Sequence, residues 1–271
     1  MKKTILKKAI WCVFVIAFPF MMQAQSIADY SGLEKYSKWS VFAGPVMYNK
    51  ASITPQYGEY TFENLPIYGF NAGFEYDFYP ASKWSFVTGL YVAMEPIYKL
   101  RFTLKEEDIC ANLKGDYTVK VEPAYAPIMS FSLPLLVRYN IQVGEKSYLF
   151  FSTGLKAMAF PNGEAEYTYF IRCSETTESK QVFGLRILSP DNTFQGSFVF
   201  KTGFSYAMDK ALLKANLVYV MNFQNTMSGE YQFVNLLTSP DTRGYYDLSG
   251  NYLGLMFSVS PKKCKSKSKS K

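Results

Sequence analysis

From Trp39 to Val259 the chain repeatedly alternates apolar residues with small or polar ones at a period of two. That period separates the two faces of a β-strand, and a chain that keeps it through eight segments has few folds open to it. In Phe70–Phe78, aromatic and small apolar groups share one face, while Asn71, Gly73, Glu75 and Asp77 share the other. The pattern recurs over Trp84–Glu95, Phe131–Ile141, Leu149–Ala157, Ser197–Tyr206, Leu213–Phe223 and Leu253–Val259, and more weakly over Trp39–Tyr48. Between these segments, Tyr79–Lys83, Val143–Ser147 and Ala207–Ala211 are short. Asn49–Ile67, Lys99–Ile128, Pro161–Gln195 and Gln224–Gly250 are long and polar. Long and short connections therefore alternate, and the even strand count puts both chain ends on the short-turn side. The pattern predicts an all-β chain: an eight-stranded antiparallel up-and-down transmembrane β-barrel with short periplasmic turns and long extracellular loops.

A soluble lipid-carrying barrel would have its apolar face inside, and β-propensity alone would put Tyr and Phe in a soluble sandwich. Here the apolar face continues from strand to strand, as lipid requires, and a chain without spanning helices crosses a bilayer only as a closed barrel. Trp39, Phe78, Tyr79, Trp84, Tyr139, Tyr148 and Tyr206 adjoin the short turns. Tyr48, Tyr68, Tyr98, Phe223 and Tyr252 adjoin the loops. Two aromatic girdles are expected from them.

Residues 1–24 have a basic start, Lys2–Lys8, and an apolar run, Ala9–Met22. The run suits a secretory signal peptide and is short for a spanning helix of ~20 residues; the alternative is an uncleaved anchor. Cys12 would leave with the signal. Residues 25–38 form a periplasmic N-terminal segment, 39–260 the outer-membrane barrel, and 261–271 a disordered Lys-rich tail. The expected location is the outer membrane of a Gram-negative bacterium.

Ser130–Tyr139, with Leu133, Pro134, Leu135, Arg138 and Tyr139 in the characteristic positions, resembles the strand signature of the PorT-like outer-membrane β-barrel proteins. In that family the strand is followed by a short turn and a strand ending near Gly, and Tyr148–Gly154 is similar. Tyr252–Val259 is similar to the C-terminal signal read by the barrel-insertion machinery, with Gly254, Phe257 and Val259 in the key positions. Such chains often finish at that strand, whereas this one adds Ser260–Lys271. The resemblance implies an outer-membrane location and a part in surface biogenesis or secretion.

The predicted interior holds Glu75, Asp77 and Glu95 on one side and Arg138, Lys156, Lys201 and Lys214 on the other. Eight strands leave a lumen just filled by side chains, so these charges read either as a salt-bridged plug or as a polar conduit. Cys110 and Cys173 fall in the second and third long connections. Export permits a disulfide between loops that otherwise lack support, while two free thiols remain the alternative. Cys264 is left over, and no Cys-x-x-Cys spacing suggests a metal or redox site. The chain has no histidine, which excludes Ser-His-Asp chemistry and argues against zinc. Of 29 basic residues, four lie in the leader and six in the tail, so 19 face 22 acidic ones in the body. That balance speaks against a nucleic-acid partner. The lysine tail would meet anionic headgroups or acidic periplasmic partners, or simply be solvated. Cofactors and catalysis are not expected. The partners expected are outer-membrane lipid, the insertion machinery and an unidentified extracellular or periplasmic molecule. Surface-loop recognition, structural anchoring or a secretion role ranks above a porin-like pore, and a soluble periplasmic lipid carrier comes last.

Overall fold

The computed structural model describes residues 30–65, 67–95, 100–109, 116–121, 128–159, 163–172, 179–189 and 194–263. In chain order its strands are β1 (Trp39–Tyr48), β2 (Ser52–Tyr57), β3 (Phe62–Asn64), β4 (Ile67–Asp77), β5 (Trp84–Glu95), β6 (Leu100–Lys105), β7 (Asp116–Val121) and β8 (Ile128–Gly144). They continue as β9 (Ser147–Ala159), β10 (Glu164–Arg172), β11 (Ser179–Leu188), β12 (Phe194–Ala207), β13 (Ala211–Asn222), β14 (Met227–Phe233), β15 (Thr242–Leu248) and β16 (Tyr252–Pro261). A one-turn helix, α1 (Glu106–Ile109), follows β6.

Eight strands close into an antiparallel barrel in the order β1-β16-β13-β12-β9-β8-β5-β4. They are the eight segments marked by the alternation, with ends displaced by at most three residues. The period of two sorts the faces cleanly. Val41, Phe70, Phe86, Leu135, Leu155, Phe200, Leu217 and Phe257, one from each barrel strand, are all exposed, and no charged side chain lies at the outward positions between them. An apolar surface encircling the barrel cannot face water; it needs lipid.

Two prolines sit inside barrel strands, where a missing N–H would ordinarily break a ladder. Both are accommodated by local gaps in pairing. On β1 the register with β16 skips from Ala43↔Phe257 to Val46↔Gly254, across Gly44 and Pro45. On β8 the register with β5 skips from Thr88↔Leu135 to Tyr91↔Ser132, across Leu133 and Pro134, and the Thr88 hydroxyl donates to the Pro134 carbonyl at 2.9 Å. At Gly44 the strands approach so closely that a Cβ would lie 2.0 Å from the Leu255 carbonyl oxygen. Gly44→Val is expected to prevent closure, read as loss of the compact band that a folded barrel keeps on an unboiled detergent gel.

The connections at the opposite end from the turns differ from the unsupported polar loops expected. They carry eight further strands, which form a five-stranded sheet, β10-β11-β14-β15-β2, and a three-stranded sheet, β3-β6-β7. The sheets share an apolar core of their own. Phe62 meets Phe183 and Tyr231 at ring separations of 5.8 and 4.9 Å, and Phe102 meets Phe183 and Phe233 at 4.6 and 5.4 Å. A bulge where β11 passes Tyr169 and Phe170 leaves Val182 without a partner on β10, and both it and Phe183 enter this core. Met158, near the end of β9, belongs to the same cluster, so the cap is seated on the mouth of the barrel.

The other end is covered by the N-terminal segment. Its single 3-10 turn, Ser31–Leu33, sends Leu33 into a cluster with Tyr36, Tyr148, Ala207 and Leu212. The Tyr36 hydroxyl donates to the Met208 carbonyl at 2.6 Å, and that of Tyr30 donates to the Asn140 carbonyl at 2.9 Å. Tyr36 also bridges to Lys262, and the Lys263 N–H donates to the Lys35 carbonyl, so backbone pairing reaches three residues into the stretch expected to be disordered. Residues 1–29 and 264–271, with Cys12, Cys110, Cys173, Cys264 and Tyr98, lie outside the described residues.

The girdle expectation needs correction at three positions. Tyr148 points inward into the turn-end cluster, and Tyr48 and Tyr252 point inward with rings 5.4 Å apart. A tyrosine beside a strand end is as able to close the lumen as to anchor the rim.

Candidate functional site

The lumen is built from the inward residues of alternate positions. Arg138 on β8 is 3% exposed and forms a fork between two carboxylates of β4. Its Nη1 donates to Asp77 at 2.8 Å and its Nη2 to Glu75 at 3.1 Å, while Nε donates to Ser152 at 3.2 Å. Its plane lies over Phe150, 4.9 Å from the ring centre. From β12, Lys201 reaches across to pair with Glu75 and donates also to the Tyr91 hydroxyl, which itself donates to Glu75. Ser85 donates to Asp77. Each carboxylate thus carries at least one cation and a hydroxyl, the condition for keeping charge away from water.

The expected network splits. Glu75, Asp77, Arg138 and Lys201 form one cluster. Glu95 lies apart and accepts from Ser130 at 2.8 Å. Lys156 lies over the Tyr252 ring at 5.3 Å. Lys214 lines a cavity of about 20 Å³ below the cluster, beside Asp77, Arg138, Asn140 and Tyr36, with no ion pair within 4 Å among the described residues. The cavity has room for about one water. Sequence reasoning passed over Tyr91, Ser85 and Ser152, although the alternation already placed them inward. It also missed the apolar part of the lumen, where Phe42, Val46, Val87, Leu136, Val199, Val218 and Met256 fill the space around the ions.

A second polar centre, unforeseen from sequence, holds the cap together. Asp108 on α1 is fully buried. Its Oδ1 accepts from the Thr238 and Ser239 backbone N–H groups at 3.0 and 2.7 Å and from the Thr238 hydroxyl at 2.5 Å. Its Oδ2 accepts from the Ser239 hydroxyl at 2.8 Å and from the Tyr60 hydroxyl. One carboxylate therefore ties three connections: the one after β1, the one after β5 and the one after β13. Burial alone would raise its pKa, but the hydrogen bonds from Thr238, Tyr60 and Ser239 outweigh burial and hold it well below the usual carboxylate range. Burial, then the bond to Asp108, pushes Tyr60 up to about 12. Among the described residues no group of three or more Cys, Asp and Glu is placed to hold a metal.

An apolar outer surface, a closed antiparallel ladder and charges confined to the lumen define a membrane-spanning eight-stranded β-barrel. No family model matches the chain, and no curated protein matches it in sequence. Similar solved structures include the outer membrane protein OprG of Pseudomonas aeruginosa, with 13% identity, 83% of this chain and 96% of that chain covered, and a TM-score of 0.41. Ail, the attachment invasion locus protein of Yersinia pestis, has 10% identity, coverages of 82% and 99%, and a TM-score of 0.30. Neisserial surface protein A has 11% identity, coverages of 83% and 97%, and a TM-score of 0.29. With likeness this low, the functional reading rests on the chain's own residues.

Proposed function

We propose that this chain is a closed barrel of a Gram-negative outer membrane, exported by residues 1–24, that presents its β-cap at the cell surface as a recognition or anchoring module, without catalysis. The observation that carries the reading is the lumen. Glu75, Asp77, Arg138 and Lys201 bond across it, the cap core seats on Met158 above, and Leu33 and Tyr36 cover it below. An open pore would hold its charges apart and hydrated; here these four are shared among fixed partners. The cap has its own core and an internal latch, so it presents a rigid scaffold, and binding work is commonly placed on the connecting segments of such scaffolds. A role in secretion or surface biogenesis, with the insertion machinery as an assembly partner, follows only from the PorT-like resemblance of Leu133–Tyr139.

Planar-bilayer recording of the folded protein tests this. The expected result is a silent bilayer, without stable open steps, under conditions where carbonate-washed membranes retain the protein. Stable open steps would return the conduit reading to the front, and release by carbonate would favour a soluble carrier.

A further inference from the structure

The turn end of the barrel carries one constellation twice. Lys38-Trp39 opens β1 and Lys83-Trp84 opens β5. Each tryptophan is the cross-strand partner of a tyrosine: Trp39 faces Tyr76 on β4, and Trp84 faces Tyr139 on β8. The ring centres are 4.8 and 4.6 Å apart, tilted by 59° and 55°. In each copy the lysine ammonium lies over the same tyrosine, 5.9 Å from the ring centre for Lys38 and 5.3 Å for Lys83. The backbone repeats as well. The residue after each tyrosine donates its N–H to the lysine carbonyl, Asp77 to Lys38 at 2.9 Å and Asn140 to Lys83 at 2.8 Å. That last ladder bond holds each lysine at the border of the apolar band.

We infer that these two clamps are binding sites for anionic phospholipid headgroups in the leaflet at the turn end. The inference rests on the membrane-spanning reading of the barrel and adds the class of lipid that it selects. Each clamp presents an ammonium, an indole N–H and a phenol at the depth where the apolar surface ends, and the rings below it cover the start of the acyl chains. Net charge selects the occupant. The same face adds Lys35, Lys146, Lys210, Lys262 and Lys263 against Glu34, Glu145 and Asp209. A zwitterionic headgroup brings its own cation to this surface, whereas an anionic one does not.

The chain contains three tryptophans, of which Trp11 lies in the leader. With Trp11→Phe in the full chain, Trp39 and Trp84 are the only indoles and both report from the clamps. The protein is inserted into phosphatidylcholine vesicles doped either with dibrominated phosphatidylglycerol or with dibrominated phosphatidylcholine, and indole quenching is compared at equal bromolipid fraction. Phosphatidylglycerol is expected to win with a relative association constant of about five, the gain of roughly one lysine near an anionic phosphate. In Lys38→Gln/Lys83→Gln the ratio is expected to fall below about two, the preference left by the other charges of that face, with phosphatidylcholine quenching unchanged. Equal quenching by the two lipids in the parent chain overturns the proposal, as does a preference that is undiminished in the double variant. Quenching by neither lipid overturns the membrane reading and this proposal together.

Discussion

Arg138→Met is expected to be the most damaging substitution among the lumen charges, costing about 3–5 kcal/mol, the range for breaking a buried ion pair by removing one partner. The methionine fills much of the space, so the loss is electrostatic. Asp77 keeps the Ser85 hydroxyl but no cation within 4 Å among the described residues, and Glu75 keeps Lys201 and Tyr91. Lys201→Met should cost less, because Glu75 would still hold the Arg138 fork at 3.1 Å. Arg138→Lys is not a rescue, since one ammonium cannot span both carboxylates and Ser152 as the fork does. The measurement is urea unfolding of the barrel in lipid vesicles, followed by the loss of its compact gel band. A charge-matched variant, Arg138→Met with Asp77→Asn, leaves Glu75 paired with Lys201, separates uncompensated charge from poor packing and should recover much of the loss. If Arg138→Met unfolds at the same urea concentration as the parent, the ion cluster does not stabilise the barrel and the plug reading falls.

The eight barrel strands were legible because a lipid-facing strand has one apolar face and one free to be polar, which makes the period of two nearly uninterrupted. In the cap the signature is short or broken, as in Leu100–Lys105, which alternates but runs for only six residues. Val182, Phe183, Gly184 and Leu185 on β11 are consecutively buried, partly through the bulge, so no alternation marks them. Elsewhere the cap core takes only a few residues from each short strand, such as Phe62 from β3 and Tyr231 and Phe233 from β14. In the lumen, the inward register of Glu75, Asp77, Arg138 and Lys201 was readable from pattern alone. The choice of partners was not, because it depends on which strands face each other around a closed ring. Tyr48, Tyr148 and Tyr252 show the same limit at the rims: their proximity to a strand end was clear, and the face was misjudged. Asp108 had no local signal, since Glu106-Glu107-Asp108 reads as an ordinary solvated acidic run and its donors lie 48 to 131 residues away.

Asp108→Asn is expected to open the cap while leaving the barrel closed. Five donors converge on a carboxylate that is an acceptor only. An amide brings a donor of its own into that ring and removes the charge that strengthens the rest, a loss of about 3 kcal/mol for bonds of this kind. The amides of Leu237, Thr238 and Ser239 should then exchange faster, and added protease should cut the cap, while the barrel keeps its heat-resistant band. The pH dependence has a fixed sign. Asp108 in the fold has a pKa below its unfolded value of about 3.9, so its contribution is fully present above about pH 4 and is lost as pH falls through the folded value. Tyr60 is raised to about 12, so its contribution is fully present below its unfolded value of about 10 and is lost as pH rises through the folded one. The parent cap should therefore become protease-sensitive at both extremes, and Asp108→Asn should lose the acid limb because no carboxylate is left there to titrate. A variant cap as resistant as the parent's at neutral pH would mean that the two sheets hold through Phe62, Phe102 and Phe183 alone, and that the buried carboxylate is only tolerated.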